Sequence, residues 1–184
     1  MDHNKETFST WDKIAELYQE KFMDLTLYDE SYDFVCSHLH KREARILDAG
    51  CGPGNISRFL HSKRSDLVIE GIDVSPNMIR LAKKNNPRGS FRVMDCREIG
   101  TITSRFDAVF CGFCLPYLSP SESARFVADA AGIINTEGIL YLSFVAGEPA
   151  ASGYKQGSTG DRVYFYYHSL NTLREQLRLS ELKE

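Results

Sequence analysis

The sequence predicts a doubly wound α/β domain, a mainly parallel sheet with helices on both faces, and three observations predict it. From Arg45 onward, short apolar runs alternate with helical patterns, the signature of parallel strands joined by crossover helices. Those runs end in polar or glycine residues, at the strand ends where such sheets bind ligands. The 184 residues are 42% hydrophobic and 26% charged, an ordinary globular mix of about one domain's length at roughly 150 residues per domain.

Two amphipathic helices precede the sheet. Trp11, Ile14, Ala15, Tyr18 and Phe22 share one face at helical spacing, with Ser9 and Asp12 as a capping-box signature, and Tyr28, Tyr32, Val35 and Leu39 share another. The strand runs are RILDAG, VIEGIDV, FRVMD, FDAVFCGF and GILYLSFV. After the first comes a helix with Ile56, Phe59 and Leu60 inward; Ser75-Pro76 opens the next with a cap and an N1 proline. Cys96 to Arg105 has room for about one helical turn. Ser119-Pro120-Ser121-Glu122 is a full capping box for a helix that Asn135 and Gly138 are expected to close. Gly147 to Gly160 reads as a long polar loop. An aromatic run, Arg162 to Tyr167, then leads to a helix with Ser169 as cap and a Leu170, Leu173, Leu177 stripe.

Charge and composition remove several function classes. Lys and Arg number 22 against 25 Asp and Glu, a formal charge of -3, so no global basic field gathers nucleic acid. Apolar runs such as Gly138 to Ala146 fall far short of the ~20 residues of a membrane helix, and MDHNKETFST carries no signal-peptide core. The expected compartment is the cytoplasm. Five cysteines, with Cys51, Cys96 and Cys111 in or beside strands, read as reduced thiols. Cys111 and Cys114 have C-x-x-C spacing, but they end a strand and lack a second pair, so neither redox nor metal chemistry is expected. His38 and His40 flank Leu39 and do not converge on a metal.

The first strand runs into Asp48-Ala49-Gly50-Cys51-Gly52-Pro53-Gly54. Glycines at alternate positions leave bare backbone against which a ligand can lie at a helix N-terminus. Asp73, 23 residues beyond Gly50, ends the second strand, where a carboxylate can hold a ribose diol. The dinucleotide pattern G-x-G-x-x-G fails, because its third glycine falls on Asn55. Asp48 would repel a pyrophosphate and attract an ammonium group. Together these features favour an amino-acid-bearing nucleoside over NAD.

ILDAGCGPG resembles the first motif of class I S-adenosylmethionine-dependent methyltransferases, and GIDVSPNMI, FRVMDC and FDAVFCGF resemble their later strand-end motifs in order and spacing. The resemblance covers residues 45 to 146 and implies a Rossmann-like sheet with S-adenosylmethionine as cofactor. It implies that Gly50, Cys51, Gly52 and Gly54 line the methionine moiety, that Asp48 lies near its ammonium, and that Asp73 binds the ribose hydroxyls. Val74 would pack on the adenine, Asp95 and the Cys96 backbone would meet its amine, and the Cys111 and Gly112 backbone would close the site beneath the sulfonium. Trp11 and Tyr18 match in placement an N-terminal helical lid over the cofactor; core packing is the other explanation of that stripe. The expected organisation is one domain over 1–184, with the lid at 1–44, the cofactor core at 45–146 and an acceptor-side loop, strand and helix at 147–184.

A small-molecule acceptor is expected. Tyr117, Tyr154, Tyr167 and His168 are its candidate contacts, and Tyr117 and His168 the candidate catalytic groups; histidine is the side chain whose unperturbed chemistry suits a base near neutral pH, although the transfer needs a base only where the acceptor carries a leaving proton. Gly112-Phe113-Cys114-Leu115-Pro116-Tyr117 lacks the Asn or Asp before Pro-Pro-Tyr of adenine amino-methylating relatives, which disfavours a nucleobase. A non-catalytic binding or sensing module and a nucleotide-dependent oxidoreductase are the other readings. Relatives finish the sheet with a terminal strand hairpin for which this chain shows no pattern, so either the sheet is abbreviated or the chain is part of a longer one. The uncovered edge would invite a partner, a second copy in a homodimer among them.

Overall fold

The computed structural model describes residues 4–157 and 160–184; residues 158–159 of the long loop and residues 1–3 lie outside the described residues. Three helices come first: α1 Asn4–Lys13, α2 Ala15–Phe22 and α3 Asp29–His38. The alternating part follows as β1 Arg45–Ala49, α4 Asn55–Lys63, β2 Val68–Asp73, α5 Pro76–Asn85, β3 Ser90–Val93, a 3₁₀ turn Cys96–Thr101, β4 Phe106–Cys111, α6 Pro120–Ile133 and β5 Ile134–Leu142. Strand order is β3-β2-β1-β4-β5 and each of the four pairings is parallel. The direction of winding reverses between β1 and β4, which opens a crevice at their carboxyl ends.

The central strands β1 and β4 are buried on both faces because they are apolar on both, whereas the edge strands β3 and β5 are largely partly buried or exposed. On one side Leu47, Val109, Ile72 and Phe106 pack with Phe126 and Ala130 of α6; on the other Ile46, Ala108, Phe110 and Ile69 pack with Leu60 of α4 and Tyr32 and Val35 of α3. Alternation along β1 sends Ile46 and Leu47 to opposite cores. Among the described residues no helix is long and apolar enough to cross a membrane.

The capping-box helix starts as expected: Ser119 Oγ accepts from the Glu122 amide and Glu122 Oε2 accepts in return from the Ser119 amide. Elsewhere local signals yielded to tertiary contacts. The stripe from Trp11 to Phe22 is broken at Ile14 into two helices, and Ser9 and Asp12 cap neither, since α1 already begins at Asn4. Asn135 and Gly138 do not close α6. Ile134 turns extended and the chain enters β5 directly, with Asn135 Nδ2 donating to Asp107 Oδ1 at 2.8 Å; Glu137, at a left-handed φ of 62°, lies near a register shift between Phe106 and Ala108.

The expected polar loop contains a strand. β6 Gly153–Gln156 pairs antiparallel with β7 Arg162–Phe165, and this two-stranded sheet stands apart from the main one. Ser169 occupies the cap position of α7 Leu170–Leu179, but its side chain makes no capping bond, and Leu170 is exposed. Burial there falls to Leu173 and to Gln176, whose Oε1 accepts from Ser123 Oγ at 3.0 Å.

Candidate active site

The glycine loop joins β1 to α4. Gly50, Gly52 and Gly54 take φ of 71°, 52° and 85°, a region L side chains rarely adopt. The Gly50 and Cys51 amides donate to the Ile72 carbonyl at 2.8 and 2.9 Å, tying the loop to the end of β2. At the end of β2, Asp73 accepts from the Gly52 amide at 2.9 Å and from the Ser75 amide at 2.9 Å. Burial nonetheless pushes its carboxyl above the usual range.

Asp48 is 1% exposed, one strand position before the loop. Its Oδ2 accepts from Ser57 Oγ at 2.7 Å, while Oδ1 is buried with no partner. Burial raises its pKa from 3.8 to about 6. A buried carboxylate with one oxygen orphaned, beneath bare backbone, is costly unless something cationic reaches it. Asp95, after β3, accepts from the Arg97 amide at 2.9 Å and from the Arg97 guanidinium at 2.6 and 2.9 Å; Arg97 also donates to Glu122 at 2.9 Å.

Two cavities meet over the loop. The smaller, ≈110 Å³, is walled by Asp73, Val74, Asp95, Cys96, Met78 and Phe8. The larger, ≈740 Å³, is walled by Cys51, Asn55, Arg58, Phe59, Tyr28 and Tyr32. Gly50, Gly52, Gly112, Phe113, Tyr117, Trp11 and Tyr18 line both. Trp11 packs edge-on against Tyr18 and Tyr117 at 5.5 and 5.6 Å, and its Nε1 is buried without a partner. Burial pushes the Tyr18 hydroxyl up to about 12 and that of Tyr117 further, so both act as hydrogen-bonding groups rather than bases at neutral pH.

Of the residues expected from sequence, Trp11, Tyr18, Gly50, Cys51, Gly52, Asp73, Val74, Asp95, Cys96, Gly112 and Tyr117 come together on these walls. Asp48 lies behind the loop, Gly54 is the N-cap of α4 and Cys111 is fully buried at the end of β4. Cys114 Sγ points to Cys96 Sγ at 3.4 Å; hydrogen bonding among Cys111, Cys114 and Cys96, with burial, holds the Cys96 and Cys114 thiols well above the ordinary range, the opposite of an activated redox pair.

The acceptor-side expectation is corrected at three positions. His168 is 3% exposed and its Nε2–H donates to the Leu115 carbonyl at 2.8 Å, so it braces the turn carrying Tyr117 and lines neither cavity. Tyr154 sits under the Arg162 guanidinium, 4.2 Å from its ring centroid, on the outer surface. Tyr167 packs on Gly147 and beneath Lys155. The groups sequence reasoning passed over are Tyr28, Tyr32, Phe59, Phe113 and Arg58. Tyr28 and Tyr32 were visible as one helix face, but a helix stripe does not say whether it faces core or cavity. Phe113, at φ 61°, turns its ring to Tyr28 at 4.7 Å while its amide donates to Ser143 Oγ at 2.7 Å.

Residues 46–138, half of the chain, match the methyltransferase domain family. The chain belongs to that family. It is 37% identical over 118 residues to the 235L protein of Invertebrate iridescent virus 6, named as a methyltransferase, covering 64% of this chain and 43% of the relative. The carboxy-S-adenosyl-L-methionine synthase of Campylobacter hominis is 23% identical over 145 residues, 76% of this chain and 62% of the relative. The chain thus spans less than two thirds of the length of these relatives. Its fold matches the solved DhpI–SAH complex with a TM-score of 0.73 at 18% identity, covering 97% of this chain and 87% of that one.

Proposed function

We propose that this protein transfers a methyl group from S-adenosylmethionine to a small-molecule acceptor. The observation that carries the reading is the buried, unpartnered Oδ1 of Asp48 beneath the glycine loop, with Asp73 at the neighbouring strand end. That pair suits a ligand carrying both an ammonium group and a ribose diol, and a pyrophosphate fits neither. When bound, S-adenosylmethionine supplies an electrophilic methyl on a cationic sulfur. Gly50 and Gly52 would lie against its methionine portion, Asp48 would complement its ammonium, Asp73 its ribose hydroxyls, and Val74, Asp95 and Cys96 its adenine. Gly112 closes the floor; a Cβ there would meet Ile56 Cδ1 at 2.3 Å.

Trp11, Tyr18 and Tyr117 roof the junction of the two cavities and exclude water from it. Holding acceptor and donor in line can supply up to ~7–11 kcal/mol of the acceleration. The larger cavity suits an acceptor with an apolar or aromatic body, framed by Tyr28, Tyr32, Phe59 and Phe113. Its cation, Arg58, is already engaged by Asp24 Oδ1 and the Met23 carbonyl, both at 2.6 Å, which counts against a strongly anionic acceptor. No described side chain in the cavity is poised as a strong base, which suits an acceptor whose proton leaves to solvent.

In this reading residues 1–44 form the lid, 45–146 the cofactor core, and 147–184 brace the lid rather than touch the acceptor. The free thiols Cys36, Cys51, Cys96, Cys111 and Cys114 suit a reducing cytoplasm. The net charge suits no nucleic-acid partner, and the open edge of β5 suits pairing with a second copy. A sensing module would need no second cavity of this size.

Titration calorimetry is expected to show micromolar S-adenosylhomocysteine binding and none of NAD, and labelled methyl groups are expected to leave the donor when metabolite fractions are offered. Binding without transfer would favour the sensing alternative; NAD binding alone would end the proposal. Asp73→Ala is expected to weaken S-adenosylhomocysteine by ~1–3 kcal/mol, the cost of leaving polar groups unpaired.

A further inference from the structure

Asp12 stands in the last turn of α1, where the negative end of the helix dipole disfavours a carboxylate. Its contacts lie elsewhere. Oδ1 accepts from Ser75 Oγ at 2.6 Å and from the Asn77 amide at 3.0 Å; Asn77 Nδ2 donates to Oδ2 at 3.1 Å and to the Asp12 carbonyl at 3.2 Å. All four bonds come from Ser75 and Asn77, in the turn from β2 into α5, where the exposed amides of a helix start favour a negative charge.

That turn also holds Asp73. The Ser75 amide donates to Asp73 Oδ1 at 2.9 Å, and Ser75 Oγ caps α5 by accepting from the Met78 amide at 3.0 Å. A continuous chain of hydrogen bonds thus runs from the carboxylate of α1 through Ser75 to the carboxylate at the end of β2. Trp11, the one tryptophan of the sequence, immediately precedes Asp12 and overhangs both cavities. Asp12 itself lines neither cavity.

We propose that Asp12 is a positioning residue, a latch that fixes the first helix on the Asp73 turn so that ribose recognition and closure of the roof form one unit. It rests on the cofactor reading above. Without the latch, α1 is held mainly along its β7 side and the Ser75 hydroxyl only by its cap bond to the Met78 amide, so Trp11 and the Asp73 turn loosen against each other and a ligand must order both as it binds.

Five proteins test this: the wild type, Asp12→Ala, Asp12→Asn, Asn77→Ala, and the double variant Asp12→Ala with Asn77→Ala. Trp11 emission in ligand-free protein reads the roof, and S-adenosylhomocysteine titration reads the coupling. Asp12→Ala is expected to red-shift Trp11 emission before any ligand is added and to weaken S-adenosylhomocysteine about tenfold, with near-UV circular dichroism outside the tryptophan band unchanged. Asn77→Ala is expected to do the same to a smaller degree. The double variant is expected to lose little more than Asp12→Ala and clearly less than the sum of the two, because of the Asn77 side-chain bonds only the one to the Asp12 carbonyl outlasts the first change. Asp12→Asn, which keeps an acceptor for Ser75 Oγ and the Asn77 amide, is expected to restore most of the affinity. Unchanged emission and affinity in Asp12→Ala, or additive losses in the double variant, would overturn the latch. Failure of the wild type to bind S-adenosylhomocysteine would instead sink the cofactor reading, while the ligand-free emission would still decide whether Asp12 fixes the helix.

Discussion

S-adenosylhomocysteine is expected to bind about tenfold more weakly at pH 5 than at pH 7, and Asp48→Asn is expected to abolish that dependence while lowering affinity throughout. Burial holds the Asp48 carboxyl at about 6 in the ligand-free protein. A ligand ammonium requires the ionised form, so protons compete below pH 6, and one pH unit below the pKa costs a factor of about ten. The stability of the ligand-free protein runs the other way. A carboxyl whose folded pKa exceeds its unfolded value stabilises the fold below pH ~4, and the contribution, about 3 kcal/mol, is lost as pH rises through 6. Chemical denaturation between pH 4 and 7 should show a steeper fall in the wild type than in Asp48→Asn, the difference being the Asp48 contribution, since Asp73, also raised by burial, keeps its own slope in both. A flat calorimetric profile in the wild type would remove the role given to Asp48.

Gly50→Ala is expected to destabilise the fold by about 2–4 kcal/mol and to abolish measurable S-adenosylhomocysteine binding. An added Cβ would stand 2.8 Å from Cys114 Cβ, on backbone at φ 71°. The left-handed conformation costs an L residue roughly 1–2 kcal/mol and overpacking typically adds 1–3 kcal/mol. Relief would require the loop to part from β2, where the Gly50 amide is tied, or the turn at Cys114 to move; either shifts a wall shared by both cavities. Gly132→Ala in α6 is the control: nothing lies within 4 Å of its Cβ, and the change should stabilise the helix by up to ~1 kcal/mol. Urea titrations of both variants separate the two outcomes.

The sheet was legible because its evidence is local and repeated. Each parallel strand belongs to an apolar run that ends at polar or glycine residues, and the glycine loop with Asp73 announces where a ligand goes. The acceptor side was not legible in this way. His168 and Tyr167 carry suitable chemistry, but their placement depends on β6, whose GYKQ sequence has no β-branched pattern to reveal it. Asp12 offered a plausible helix cap because capping is a local rule; its real partners are more than sixty residues away. Asn135 and Gly138 have helix-ending chemistry, yet pairing of β5 with β4 took them into the sheet. Sequence periodicity therefore identified which faces are apolar, and only the fold decided which of them, as with Tyr28 and Tyr32, would border open space.

The first helix is sewn to β7 from both directions: Thr10 Oγ1 donates to the Arg162 carbonyl at 2.9 Å, and the Tyr164 amide donates to Thr7 Oγ1 at 2.9 Å. These partners are separated by more than 150 residues of chain. The first helix therefore completes its docking only after β7, more than 150 residues further along the chain, has been translated. Until then the helix rests mainly on α5, where Trp11 and Tyr18 pack with Met78 and Leu81, and a nascent or refolding chain passes through a stage in which the sheet is assembled while its roof is held mainly along one side. Contacts so distant in sequence are slow to close, so stopped-flow refolding should bury the indole in a phase later than the one that builds the strands.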